Sequence, residues 1–91
     1  MTVSDCNCSI CRRYGVLWAY YTGAEVTATA TTPEDKYIWG DRMIEFRRCA
    51  LCGCVTRWVS IDPAYDRSGI NARLMEPAVL AAARVVQLDN A

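Results

Sequence analysis

The chain contains no histidine. That excludes Ser-His and Cys-His nucleophilic pairs and a histidine general base. It also leaves any zinc site to thiolates, with carboxylate or water as the remaining donors. Net charge is lacking too: ten basic residues balance ten acidic ones, which argues against a nucleic-acid binder working through a large basic face. No apolar run approaches the roughly 20 residues needed to span a bilayer. The N-terminal stretch carries cysteines where a signal peptide would carry an apolar core, so the sequence reads as cytoplasmic. There is no internal repeat and no low-complexity tract.

What is present is apolar content and cysteine. The 91 residues read as one domain, 1–91, and 53% hydrophobic content is that of a folded globule. A chain this short buries a modest core and often needs a staple. All six cysteines fall in two clusters, Cys6-Asn7-Cys8-Ser9-Ile10-Cys11 and Cys49-Ala50-Leu51-Cys52-Gly53-Cys54, with 37 residues between them. Disulfides are disfavoured: a bridge between Cys6 and Cys8 closes a strained loop, and a reducing cytoplasm opposes it. Metal is the expectation, and the metal is zinc.

The rest of the chain reads as short strands. Residues 1–5 contribute little. Ser9 to Tyr14 forms one helical turn that Gly15 ends. Val16 to Thr22, aromatic and β-branched with two apolar faces, predicts a buried central strand. Glu25 to Thr31 alternates as a half-buried strand with Val26, Ala28 and Ala30 inward. Thr32 to Asp35 is a turn. Lys36 to Trp39 and Met43 to Arg48 predict a hairpin turning at Gly40-Asp41, with Ile44 and Phe46 inward. Val55 to Ile61 returns from the second cluster, giving the strand, knuckle and strand of a zinc ribbon. Ile70 to Leu74 is a strand with Asn71 and Arg73 on its non-core face. Pro77 to Ala83 is a short helix, and Arg84 to Leu88 a final strand ahead of a polar tail. The fold class is all-β, β-rich with one short helix, and antiparallel.

Two ligand sets fit the spacing. Cys8-x-x-Cys11 and Cys49-x-x-Cys52-Gly53 each form a turn that aims two sulfurs and the intervening amides at one metal. Together they make one closed, tetrahedral, structural site. Alternatively, Cys6, Cys8 and Cys11 supply three ligands to one metal and leave a fourth position open, the pattern of catalytic zinc. Cys49 and Cys52 then belong to a second site needing two more ligands. Spacing alone does not choose between them. In either case Cys54, at the start of a strand, is expected to be a buried thiol.

Four stretches carry a resemblance: Cys6-Asn7-Cys8-Ser9-Ile10-Cys11-Arg12-Arg13-Tyr14-Gly15, Tyr37-Ile38-Trp39-Gly40, Cys49-Ala50-Leu51-Cys52-Gly53-Cys54-Val55-Thr56 and Gly69-Ile70-Asn71-Ala72-Arg73-Leu74. In this order they resemble the glutathione-dependent formaldehyde-activating enzyme family, also called the centromere-protein-V domain family. The resemblance runs from Cys6 almost to the C-terminus. It implies packed antiparallel sheets built around zinc knuckles, a fold shared with Rab-binding zinc chaperones. It implies a catalytic-type zinc on Cys6, Cys8 and Cys11, and half of a structural zinc on Cys49 and Cys52. The implied reaction adds the glutathione thiol to formaldehyde, a carbon–sulfur lyase running in reverse. Family members begin with a strand carrying a further C-x-C that completes the structural zinc. No such pair stands ahead of Cys6 here, so the sequence reads as truncated at that end relative to the family. A sheet edge left exposed in this way is expected to pair with a second copy as a homodimer.

Around the clusters, Arg12 and Arg13 are candidates to bind the carboxylates of a glutathione-like peptide, or to stand solvated beside a negative cluster. Asn71 and Arg73 are candidates to face a site. Trp18, Tyr20, Tyr37, Trp39 and Trp58 are candidates to line a pocket or to fill the core. Three function classes follow: a zinc-dependent carbon–sulfur lyase acting on glutathione or another small thiol and an aldehyde, a zinc-stabilised module that binds a ligand or protein without catalysis, and a zinc-ribbon nucleic-acid binder. Balanced charge leaves the last least favoured.

Overall fold

The computed structural model describes every residue except Ala30, Thr31, Trp39, Asp41 and Ala91. Among the described residues there are seven strands: β1 (Thr2–Cys6), β2 (Trp18–Tyr21), β3 (Glu34–Ile38), β4 (Ile44–Cys49), β5 (Val55–Ser60), β6 (Ser68–Asn71) and β7 (Arg84–Leu88). They form one mixed sheet in the order β3-β4-β5-β6-β2-β1-β7. Two short helices accompany them, α1 (Ser9–Tyr14), where a helical turn was expected, and α2 (Pro77–Ala81), so the β-rich class holds. The chain divides into two compact units, Met1–Ala19 with Ile70–Ala91, and Tyr20–Gly69. No helix among the described residues is long and apolar enough to cross a membrane.

In the first unit, β1 lies antiparallel to β2, with Ser4 opposite Trp18. It lies parallel to β7, from Thr2 opposite Arg84 to Cys6 opposite Leu88. This corrects two expectations: the first five residues are not idle, and the sheet is not wholly antiparallel. β7 itself falls where its β-branched run predicts. Val3, Ile10, Val16, Leu17, Trp18, Ala19 and Ala72 form the core of this unit, each at most 9% exposed. That burial matches the two apolar faces read for the segment starting at Val16.

The segment Ile70 to Leu74 departs from the reading. The strand ends at Asn71, and residues 72–74 form a 3-10 turn that Asn71 caps by accepting the Arg73 N–H at 3.2 Å. An asparagine that can satisfy the backbone locally competes with the sheet ladder. Asn71 is therefore buried rather than on an outer face, and Leu74 is exposed.

In the second unit, β3 and β4 pair antiparallel from Glu34 opposite Cys49 to Ile38 opposite Glu45, the predicted hairpin. The pairing starts two residues earlier than expected, at Glu34 and Asp35, which are strand rather than turn. The expected Gly40-Asp41 turn falls partly outside the described residues. β4 and β5 pair antiparallel around the second cysteine cluster, with an irregularity at Arg47 and Arg48. Phe46, Val55 and Trp58 are buried. Glu25 to Thr31 is not a strand over its described residues. Gly23–Glu25 is a 3-10 turn, held because Glu25 accepts hydrogen bonds from the Thr22 N–H at 2.8 Å and hydroxyl at 3.0 Å. The supposed inward face of that segment is a valine and alanines, too small to repay pairing with much burial.

Candidate metal centre

Three elements of the first unit bring cysteines together. β1 ends on Cys6. The chain passes Asn7 and enters α1 at Cys8, whose extended backbone caps the helix. Cys11 lies on the first turn of α1, and its carbonyl accepts the Gly15 N–H at 3.0 Å. Gly15 closes the turn at φ 68°, where a side chain would be strained. Arg73 reinforces the closure by donating its Nε–H to the Gly15 carbonyl. The Sγ atoms of Cys6, Cys8 and Cys11 consequently lie within 4.8 Å of one another. Thiolates bonded to one tetrahedral zinc at about 2.3 Å stand about 3.8 Å apart, so a small closure of this triad completes the site.

Two further side chains attend these sulfurs. Trp18 donates its indole N–H to Cys11 Sγ at 3.4 Å. Asn90 donates its side-chain N–H to Cys6 Sγ at 3.4 Å. The tail is pinned in place: the Asn90 backbone N–H reaches Asn7 Oδ1 at 2.7 Å, and Asn7 donates to Asp89 at 2.9 Å. Asn90 was not a candidate on sequence grounds, and Trp18 was one only for a pocket or the core. Trp18 had a signal, because a buried indole N–H needs a partner. Asn90 had none.

The electrostatics split the triad. Burial pushes the Cys11 thiol up to about 12, reinforced by the neighbouring Cys8 and Cys6 and only partly relieved by Trp18. Burial also acts against Cys8, but hydrogen bonds from the Cys11 backbone, the thiols of Cys11 and Cys6, and the Ile10 backbone outweigh it and hold Cys8 below the ordinary thiol range. Cys8 is half-buried, whereas Cys6 and Cys11 are each 7% exposed.

The second cluster sits in the other unit, on the β4–β5 turn. The Cys49 N–H bonds the Cys54 carbonyl at 2.9 Å, and the Gly53 N–H bonds the Cys49 carbonyl at 2.8 Å. Gly53 takes φ 77°, the left-handed conformation the knuckle requires. Backbone N–H groups of Cys52 and Leu51, with the Cys52 thiol, hold Cys49 below its ordinary range. Cys54 is exposed, which corrects the expected buried thiol: it precedes the first residue of β5 and stays on the turn. The one group of three or more potential ligands among the described residues is Cys6, Cys8 and Cys11.

The remaining candidates scatter. Arg12 and Arg13 are exposed on the last turn of α1. Asn71 is a buried cap and Arg73 braces the Gly15 turn. Tyr20 and Trp58 meet with ring centroids 6.0 Å apart, and Tyr37 is exposed. Trp39 lies outside the described residues.

No protein-family model and no curated protein matches the chain. Among solved structures, the crystal structure of a Rhodobacter sphaeroides protein, a structural-genomics target, is similar at TM-score 0.68 and 24% identity. The match covers 92% of this chain and 80% of that one. Similarity at that identity carries the fold alone.

Proposed function

We propose that the chain holds zinc on Cys6, Cys8 and Cys11 and acts as a carbon–sulfur lyase-type protein resembling the formaldehyde-activating family. Its substrates are glutathione or a related small thiol, and formaldehyde or a similar aldehyde. One observation carries the reading: three sulfurs converge within 4.8 Å, and no fourth His, Cys, Asp or Glu among the described residues joins them. In the reaction the thiol adds across the carbonyl. A C–S bond forms, the C=O π bond breaks, and the thiol proton ends on oxygen. Bound zinc supplies Lewis acidity at such a site.

The chain's own residues do the rest. Trp18 and Asn90 orient Cys11 and Cys6 through N–H···S bonds. Backbone N–H groups of Cys11 and Ile10 favour the anionic form of Cys8. Cys8, the most accessible of the three, marks the side a small thiol approaches. Arg12 and Arg13 offer planar donor forks to the carboxylates of a glutathione-like peptide. Formaldehyde adds to thiols unaided, so positioning supplies most of the acceleration.

A second reading, a structural metal in a binding module without catalysis, has its own support in the near-complete burial of Cys6 and Cys11. Metal analysis and the cobalt(II) charge-transfer spectrum separate the two, followed by glutathione titration of the native chain and the Cys8→Ser variant. Three thiolates per metal, with glutathione binding lost in the variant, supports the enzyme. Four thiolates on that metal, or no glutathione binding to the native chain, sinks it in favour of the module.

A further inference from the structure

The second unit contains a cavity of about 530 Å³ lined by Tyr20, Met43, Ile44, Trp58, Tyr65 and Arg67. Its volume is that of small-molecule sites, and its make-up follows their rule: apolar and aromatic walls with, among the described residues, a single charged group to orient the occupant. Tyr20 and Trp58 are inclined to each other by 58° with centroids 6.0 Å apart. They form an angled aromatic wall. The Arg67 guanidinium sits 5.1 Å from the Tyr20 ring centroid. A guanidinium over a ring face gains cation–π attraction and can still present N–H groups to an oxyanion. Among the described residues Arg67 has no carboxylate partner. Asp66 Oδ1 accepts the Gly23 N–H at 2.8 Å and Asp62 Oδ1 accepts the Ala64 N–H at 2.9 Å.

We propose that this cavity is a binding site for a small planar aromatic carboxylate, its ring against Tyr20, Trp58 and Tyr65 and its carboxylate on Arg67. Aromatic walls select a flat ring over an aliphatic chain of equal area because ring pairs gain from offset and edge contacts beyond burial. The lone guanidinium selects an acid over an amide or an alcohol, since a bidentate pair between guanidinium and carboxylate is among the stronger polar contacts. Nothing in this assignment depends on the cysteine triad or on a metal.

The test is a calorimetric titration of the full chain with 2-naphthoate, and in parallel with 2-naphthamide, which keeps the ring and loses the charge. Quenching of tryptophan fluorescence provides an independent readout at Trp58. The expected result is saturable binding of the acid, at least about tenfold tighter than the amide. Arg67→Gln removes that preference while the amide still binds, and Arg67→Lys restores part of it. Arg67 is exposed, so both variants should fold, which a thermal melt checks. Tyr65→Ser, also at an exposed position, weakens acid and amide alike. The proposal is overturned if 2-naphthoate shows no saturable binding, if acid and amide bind equally to the native chain, or if Arg67→Gln leaves the preference intact.

Discussion

Two adjacent residues of β6 are expected to respond to alanine with opposite signs. Gly69 packs against Trp58, and a methyl placed there would overlap the indole. Trp58 is 5% exposed and anchors the core of its unit, so it has little room to retreat. Gly69→Ala should therefore destabilise by about 1–3 kcal/mol, the usual cost of overpacking. Ser68 buries a hydroxyl with no hydrogen-bond partner among the described residues. Ser68→Ala removes that unpaired group and should stabilise by about 1 kcal/mol. Urea unfolding of the two variants beside the native chain checks both, and equal signs would refute the packing described here. At this scale the sequence was informative where chemistry is local. The three thiols of the first cluster lie within one six-residue stretch, and their convergence follows from one knuckle. Asn90 as a sulfur-bonding partner was illegible for the opposite reason, since it is 84 positions from Cys6 in sequence; Trp18 is near Cys11, but a buried indole's need for a partner does not say which atom it finds.

At the scale of elements, what could be read was whatever a short stretch decides alone. α1 follows from its Gly15 stop, β7 from its β-branched run, and the β3–β4 hairpin from two short stretches with aromatic and β-branched residues around a turn. β1 escaped because its pairing partner lies at the other end of the chain, and strand formation depends on that partner more than on intrinsic preference. The β3–β4–β5 ladder also carries a charge network that no local pattern displays. Arg47 bonds Glu34 at 3.0 Å and Glu45 at 2.7 Å, and Arg57 bonds Glu34 at 3.2 Å. The Arg47 hydrogen bond, with help from Arg57, outweighs partial burial and holds the Glu34 carboxyl below its ordinary range. A depressed carboxyl stabilises the fold fully above its unfolded value, near the ordinary 4.5. That stabilisation is lost as pH falls through the lower folded value. Stability measured by denaturant from pH 7 downward should therefore fall in the acid range, and the fall should be shallower in Glu34→Gln. An unchanged slope would show that the three strands are held without this network.

For the molecule as a whole, the cysteine triad sits where the two ends of the chain meet. Cys6 closes β1, β1 pairs in parallel with β7, and Asn90 beyond β7 bonds Cys6. Bringing residues 2–6 against 84–88 closes a loop of most of the chain, and parallel pairing repays that entropy late in folding. A metal on Cys6, Cys8 and Cys11 would stabilise the fold to the extent that it binds the folded form more tightly than the unfolded chain. With free zinc at a hundred times its dissociation constant the gain is about 2.7 kcal/mol. For a chain of this size that corresponds to a rise of roughly 10–20 °C in the unfolding midpoint. Chelation should remove the rise, and Cys8→Ser should abolish it. Cys54→Ser should leave it intact, because that exposed thiol stands outside the triad. Asn90→Ala should reduce zinc affinity by about 10–100-fold, as loss of a ligand-orienting hydrogen bond typically does. Calorimetric melts with and without chelator measure the shift, and direct titration measures the affinity. A midpoint indifferent to metal would mean that the chain's ends are held by the β1–β7 ladder and the core around Trp18 alone.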